Sequence, residues 1–475
     1  MKRLLLAAAL LLLAVPAAEA RKKKPSAPPV DPLSQLAGEA TTTDVGWERL
    51  VHLCDRIGHR LSGSPQLDEA IAWATKRMTE DGLANVRGEE VMVPSWTRGT
   101  ASASLVAPRP MALDVLALGG SPPTPEGGLE ADVLVVDSLE DLQGRDDAHV
   151  AGRMVLFDRP FTTYRETVPI RTKGANLAAK KGAVASLIRS VGPHSLQTPH
   201  TGNQRSPEDG PAIPAAALTI EAAEMMRRLQ ERGTTPRVRL ELGCSEGPKV
   251  PSQNVIGEVV GSDTPEEIVV VSCHLDSWDV GQGAQDDGAG CVAAMEAGRL
   301  IAQLPTKPKR TVRVVLFTNE ENGLGGAKAY AEAHADEPHF AAMESDTGAG
   351  AVFGLRVDLR RPVDGTPTDK AAWPTVLGRL GVLQDALGAF DAGGLEPGYG
   401  GADIGPLVRM GVPGFGLNQD MSGYWPIHHT EADTLDKIDP VVFRRNVAAY
   451  TTAAWVLANM EGPLYEPTAE EAPAP

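Results

Sequence analysis

Several side chains able to hold a metal ion or move a proton follow directly on apolar runs in this sequence. His274 and Asp276 follow IVVVSC, Asp286 and Asp287 sit in GQGAQDDGAG, and Glu320 and Glu321 close RTVRVVLFTNEE. Asp346 follows FAAMES, and His428-His429-Thr430 stands near the carboxyl end. Imidazole nitrogen and carboxylate oxygen together suit a divalent cation such as zinc, and a carboxylate beside the ligands can act as a general base. On an extended chain, residues two apart share a side. Asp276 is therefore expected to accept the second ring N–H of His274 and fix its tautomer. Neighbouring Glu320 and Glu321 are expected to project to opposite sides, one toward metal and one toward a proton.

Taken singly, each signal has a bland reading. His-x-Asp at a strand end is more often a structural hydrogen-bonded pair, an Asp before a helix is more often a cap, and a Glu pair often starts a solvated loop. Their recurrence at strand ends of one sheet is what carries weight, because open α/β sheets gather ligands beyond the carboxyl ends of their strands. Carboxylates following a buried strand also need compensating charge, which a dication supplies. No GxSxG elbow and no HExxH helix occurs, and GQGAQDDG lacks the glycine spacing of a nucleotide loop.

The elements that must position these residues alternate in the second half of the chain. EIVVVSCH, RTVRVVLFTNEE and FAAMESD read as buried strands; DGAGCVAAMEAGRLIAQL, LGGAKAYAEAH and the segment 440–460 read as helices. This predicts an α/β fold, a mixed and mostly parallel sheet with helices on both faces. Upstream, LDEAIAWATKRMTEDG (67–82) predicts a helix, with extended segments near Glu90–Pro94 and Ala103–Ala107. Between 111 and 244 the pattern changes to short strands (ADVLVVDS, GRMVLFDRP, GAVASLIRS, RVRLELG) with one helix at 221–233, which marks a separate β-rich module.

In order and spacing, HLDSWDVGQGAQDDGAG (274–290), FTNEENGLGGAKAY (317–330), MESDTGA (343–349), GGADIGPL (400–407) and HHTEADTLDKIDP (428–440) resemble the co-catalytic zinc exopeptidase family, in its plasma glutamate carboxypeptidase (carboxypeptidase Q) branch. RLSGSP (60–65) and GANLAAKKGAVASLIRSVGPHSLQTPHTG (174–202) resemble it too. The resemblance implies two zinc ions per chain, bridged by Asp286, with Glu321 and His429 completing one site and His274 and Asp346 the other. It implies Glu320 as general base with Asp276 in support, and His429 rather than His428 as ligand. It places a non-proline cis peptide at Asp286–Asp287, makes 111–244 an inserted protease-associated domain between core parts 44–110 and 245–462, and suggests a homodimer. The implied activity is hydrolysis of dipeptides or short peptides as carboxypeptidase, aminopeptidase or dipeptidase. Two alternatives stand beside it: a glutaminyl-cyclase-like acyltransferase with one zinc, and a catalytically dead binding protein.

Composition agrees with a folded enzyme. The 475 residues are 42% hydrophobic and 23% charged, and the net charge of -17 excludes nucleic acid or an anionic membrane as main partner. Residues 1–20 combine a basic start, an apolar run and an Ala-Glu-Ala end, the pattern of a cleaved signal peptide. Export to periplasm or medium is expected, with no membrane contact in the mature form. Residues 21–43 read as a linker and 463–475 as a disordered tail. The four cysteines, Cys54, Cys244, Cys273 and Cys291, show no CxxC spacing and are expected as buried free thiols.

Overall fold

The computed structural model describes residues 31–194, 196–207, 210–360 and 373–464. The expected signal peptide, the first part of the linker and most of the expected tail lie outside these residues.

Strands Arg310–Phe317, Thr264–His274, His339–Glu344 and Gly414–Gln419 lie side by side in that order, all parallel. Antiparallel Ser245–Val259 and then Ala84–Thr97 extend one edge. Val352–Asp358, antiparallel to Gly414–Gln419, and then Gly394–Pro397 extend the other. Every residue of Arg310–Phe317 is buried, as a central strand covered on both sides must be. Alternate residues face opposite layers. Val269, Val271 and Cys273 pack with Val292 and Tyr450 of helices Ala289–Ala302 and Pro440–Asn459. Ile268 and Val270 pack with Tyr330 of helix Gly325–Ala333 and Leu407 of helix Gly405–Arg409. The expected sheet with helices on both faces is therefore what the chain forms.

A second eight-stranded sheet is built from the residues between Ala101 and Leu242. Its strands Leu129–Val136, Met154–Phe157, Ala185–Arg189 and Ala215–Leu218 are parallel. Helix Ile220–Glu231 covers one face through Ala223 and Met226, and helix Pro169–Lys180 the other through Ile170 and Ala178. Both sheets belong to one unit that begins at Pro32.

Three expectations need correction. The second sheet starts at Ala101, not at 111: Ala101–Ala107, expected in the first core part, pairs with Arg237–Leu242 and buries Ala103 and Leu105 in the same cluster as Val238 and Leu240. The linker is shorter than 21–43, since Pro32–Thr42 is a helix whose Leu36 and Ala40, one turn apart, enter the main core. Cys54 and Cys244 are buried free thiols, but Cys273 and Cys291 form a disulfide tying a strand end to the start of the next helix. Among the described residues no helix is long and apolar enough to cross a membrane.

Candidate metal centre

Parallel pairing levels the strand ends. His274 stands opposite Phe317 and Ser272 opposite Glu344, so His274, the turn after Phe317 and Asp346 emerge at one edge. The buried His274 ring places Nδ1 at 2.9 Å from the Asp276 backbone carbonyl. That contact puts the proton on Nδ1 and leaves Nε2, which lies 3.3 Å from Asp286 Oδ1 and 3.3 Å from Asp346 Oδ1. The tautomer is fixed as expected, but by the carbonyl and not the carboxylate of Asp276, whose Oδ1 is 4.0 Å away.

The Asp276 carboxylate has a different task. It accepts the Glu320 N–H at 3.0 Å and the Glu321 N–H at 3.3 Å, one on each oxygen. Both amides can reach it because the chain leaves the strand at Phe317 and turns, with Asn319 at φ 65°. Glu320 and Glu321 thus sit in a turn, correcting the expected extended pair.

Asp286 is presented by a loop in which Gly281 and Gly283 adopt φ 67° and 58°, conformations that favour glycine. Arg60, fully buried, donates to the carbonyls of Leu275 at 2.8 Å, Gln282 at 2.9 Å and Gly283 at 2.9 Å, and so braces the loop from inside. Asp433 accepts the Gln285 N–H at 2.8 Å and the Asp286 N–H at 3.1 Å. The Asp286–Asp287 peptide is cis. Asp287 takes the capping role, accepting the Gly290 N–H at 3.2 Å and the His274 N–H at 3.3 Å. Asp286 is left free to face the histidines.

His429 approaches from the opposite wall. Its Nε2 lies 3.2 Å from Asp286 Oδ2 and 3.1 Å from Glu321 Oε2, while Nδ1 lies 3.2 Å from the Thr201 carbonyl. The Thr201 N–H donates back to the His429 carbonyl at 2.9 Å. His428 stacks on His429 at 3.6 Å, and its Nε2 stands farther off, 3.6 Å from Asp286 Oδ2.

Each oxygen of Asp286 therefore faces a different donor group: Oδ1 meets His274 beside Asp346, and Oδ2 meets His429 beside Glu321. Asp286 Oδ2 and Glu321 Oε1 are buried without a hydrogen-bond partner, which is costly for carboxylate oxygens unless a cation meets them. Burial pushes the carboxyls of Glu320 and Glu321 up, and repulsion from neighbouring acids adds to it, from Glu321 on Glu320 and from Asp286 on Glu321. Burial would raise Asp286 as well, but contacts from His274 and His429 outweigh it and hold that carboxyl well below the usual range. The donor set fits divalent metal, which would offset the excess negative charge.

Sequence reasoning missed several contributors. Arg60 and Asp433 lie inside the motifs RLSGSP and HHTEADTLDKIDP, so their neighbours were flagged but not they. Thr201 acts through its backbone, which no side chain announces. Glu344, whose carboxyl burial pushes up to about 7, accepts the N–H groups of Ala402 at 2.9 Å and Ile404 at 2.8 Å. Between these two, Asp403 is buried with both carboxylate oxygens unpartnered.

Known peptidases resemble this chain in sequence and fold. Residues 254–454 match the model of peptidase family M28. The chain is 42% identical over 428 residues to carboxypeptidase Q of Xenopus laevis, covering 90% of this chain and 88% of that protein. The crystal structure of a peptidase M28 precursor from Shewanella amazonensis SB2B is 38% identical, with a TM-score of 0.85 over 91% of this chain and 97% of that one. A zinc aminopeptidase from Bacillus subtilis shares the fold at 21% identity, with a TM-score of 0.62 over 86% of this chain and 93% of that one. With a relative this similar over nearly its whole length, the chain belongs to peptidase family M28.

Proposed function

We propose that this M28 peptidase is an exported exopeptidase that hydrolyses dipeptides or short peptides with two zinc ions per chain. The observation that carries the reading is the buried Asp286 carboxylate, whose two oxygens face separate histidine and carboxylate partners. His274, Asp286 and Asp346 would hold one ion, and His429, Asp286 and Glu321 the other. Imidazole with carboxylate is a common zinc set, and the Bacillus subtilis fold neighbour is described as a zinc aminopeptidase. When bound, zinc would acidify water and polarise the scissile carbonyl.

The protein's own groups do the rest. Glu320 takes the proton of the attacking water and delivers it to the leaving amine. Its turn is pinned by Asp276, which also pins Glu321, so base and ligand keep a fixed relation. The carbonyls of Asp276 and Thr201 keep His274 and His429 in the tautomer whose Nε2 can bind metal.

The test is zinc analysis together with a dipeptide panel, with and without chelator. Two zincs per chain and chelator-sensitive cleavage are expected. One zinc with cyclisation of an N-terminal Gln peptide would replace this reading by an acyltransferase. Full zinc content without any hydrolysis would replace it by a binding protein.

A further inference from the structure

Seven arginines are buried among the described residues. Arg98, Arg189, Arg299, Arg310 and Arg313 each pair with a carboxylate, and Arg60 is spent on backbone carbonyls. Arg171, at 6% exposure, differs: among the described residues no carboxylate pairs with it, and its Nε has no partner. A guanidinium taken out of water without a counter-ion is costly, so its missing anion asks for an explanation.

What Arg171 does touch points to the candidate metal centre. Its Nη1 lies 3.2 Å from His429 Nδ1 and 3.4 Å from the Thr201 carbonyl. Its Nη2 donates to the Tyr164 hydroxyl at 2.7 Å. Because the Tyr164 oxygen accepts there, its own O–H is left to donate, and among the described residues it has no acceptor. A phenol polarised by a neighbouring cation is a strengthened donor. Tyr164 lies within electrostatic reach of Glu320 and Glu321.

Aromatic rings surround this hydroxyl's own ring. The half-buried Tyr164 ring stacks on Trp425 at 4.9 Å and meets His428 edge-on at 5.1 Å, while Phe161 packs on Trp425 at 5.9 Å. Phe161, Tyr164 and Arg171 all come from the second-sheet segment between strands Met154–Phe157 and Ala185–Arg189, whereas Trp425 and His428 come from the loop after the main-sheet strand Gly414–Gln419.

We propose that Tyr164, backed by Arg171, receives the free α-carboxylate of the substrate's carboxyl-terminal residue, whose side chain lies along Phe161 and Trp425. This rests on the peptidase reading and assigns the substrate's direction: its carboxylate supplies the anion that Arg171 lacks, and its amino end, a cation when protonated, does not.

The test compares a dipeptide with the same dipeptide as its carboxyl-terminal amide, on zinc-loaded protein. Wild type should favour the free acid. Tyr164→Phe should lower kcat/KM for the acid roughly 10- to 100-fold, mainly through KM, and lower that for the amide far less. Arg171→Gln should act likewise, with Arg171→Lys restoring part of the preference. Calorimetric binding of leucine against leucinamide gives a readout that needs no turnover: Tyr164→Phe should erase the preference for leucine. If wild type cleaves neither peptide, the peptidase reading fails, and the calorimetry still decides this inference. Equal losses for acid and amide in Tyr164→Phe would overturn it. Zinc loss in Arg171→Gln with an intact acid preference would overturn it as well, reducing Arg171 to a brace for His429.

Discussion

At the scale of single residues, the proposed mechanism assigns Asp286 to holding metal and Glu320 to moving a proton. Glu320→Gln keeps the turn amides on Asp276 but removes the base, so hydrolysis should fall by about 10²- to 10⁴-fold while zinc content stays near normal. Asp286→Ala removes the carboxylate that both histidines face, so metal analysis should show zinc lost together with activity. A Glu320→Gln protein with full activity would displace Glu320 from its role. His274, Asp286 and Glu321, whose side chains the fold brings together, were legible because their types are costly to bury without a purpose. The carbonyls of Asp276 and Thr201 were not, because every residue carries a carbonyl and only folding decides which one a ring meets.

At the scale of elements, apolar runs such as EIVVVSCH announced the central strands, since only strands covered on both faces need continuous apolar sequence. GFGLNQ and AAAL gave no such signal, yet Gly414–Gln419 and Ala215–Leu218 are strands. Their glycines and alanines carry little intrinsic strand preference, and neighbouring strands impose the conformation. The loop that offers Asp286 is held by Arg60 on its carbonyls and by Asp433 on its amides. Arg60→Ala should leave the carbonyls of Leu275 and Gln282 without these donors and that of Gly283 with the Gly288 N–H alone, lowering stability by about 3 kcal/mol in urea unfolding and weakening zinc affinity. At the start of the last helix, Asp439 accepts the Val441 N–H at 2.7 Å, and Asp439→Ala should cost about 1 kcal/mol with no effect on zinc.

At the scale of the whole molecule, the change to short strands pointed to the region that forms the second sheet but misplaced that sheet's first strand. The boundary depends on which sheet claims Ala101–Ala107, and that is a question of partners rather than composition. Acid sensitivity is also a property of the assembled core. Burial pushes the His339 imidazole down to about 4, and the neutral ring is tied to Tyr330 Oη at 3.1 Å and to the Glu337 carbonyl at 3.0 Å. The unfolded chain binds that proton near pH 6.5, so this contribution is complete above 6.5 and fades as pH falls toward 4, by at most about 3 kcal/mol. Urea unfolding at pH 7 and pH 4.5 should show a smaller difference in His339→Gln than in wild type. The paired contact between Thr201 and His429 has a further consequence. The Thr201 amide proton is sealed by the carbonyl of a residue whose ring would grip metal, so its deuterium uptake should slow on zinc loading and quicken under chelator, letting the second sheet report occupancy without any substrate.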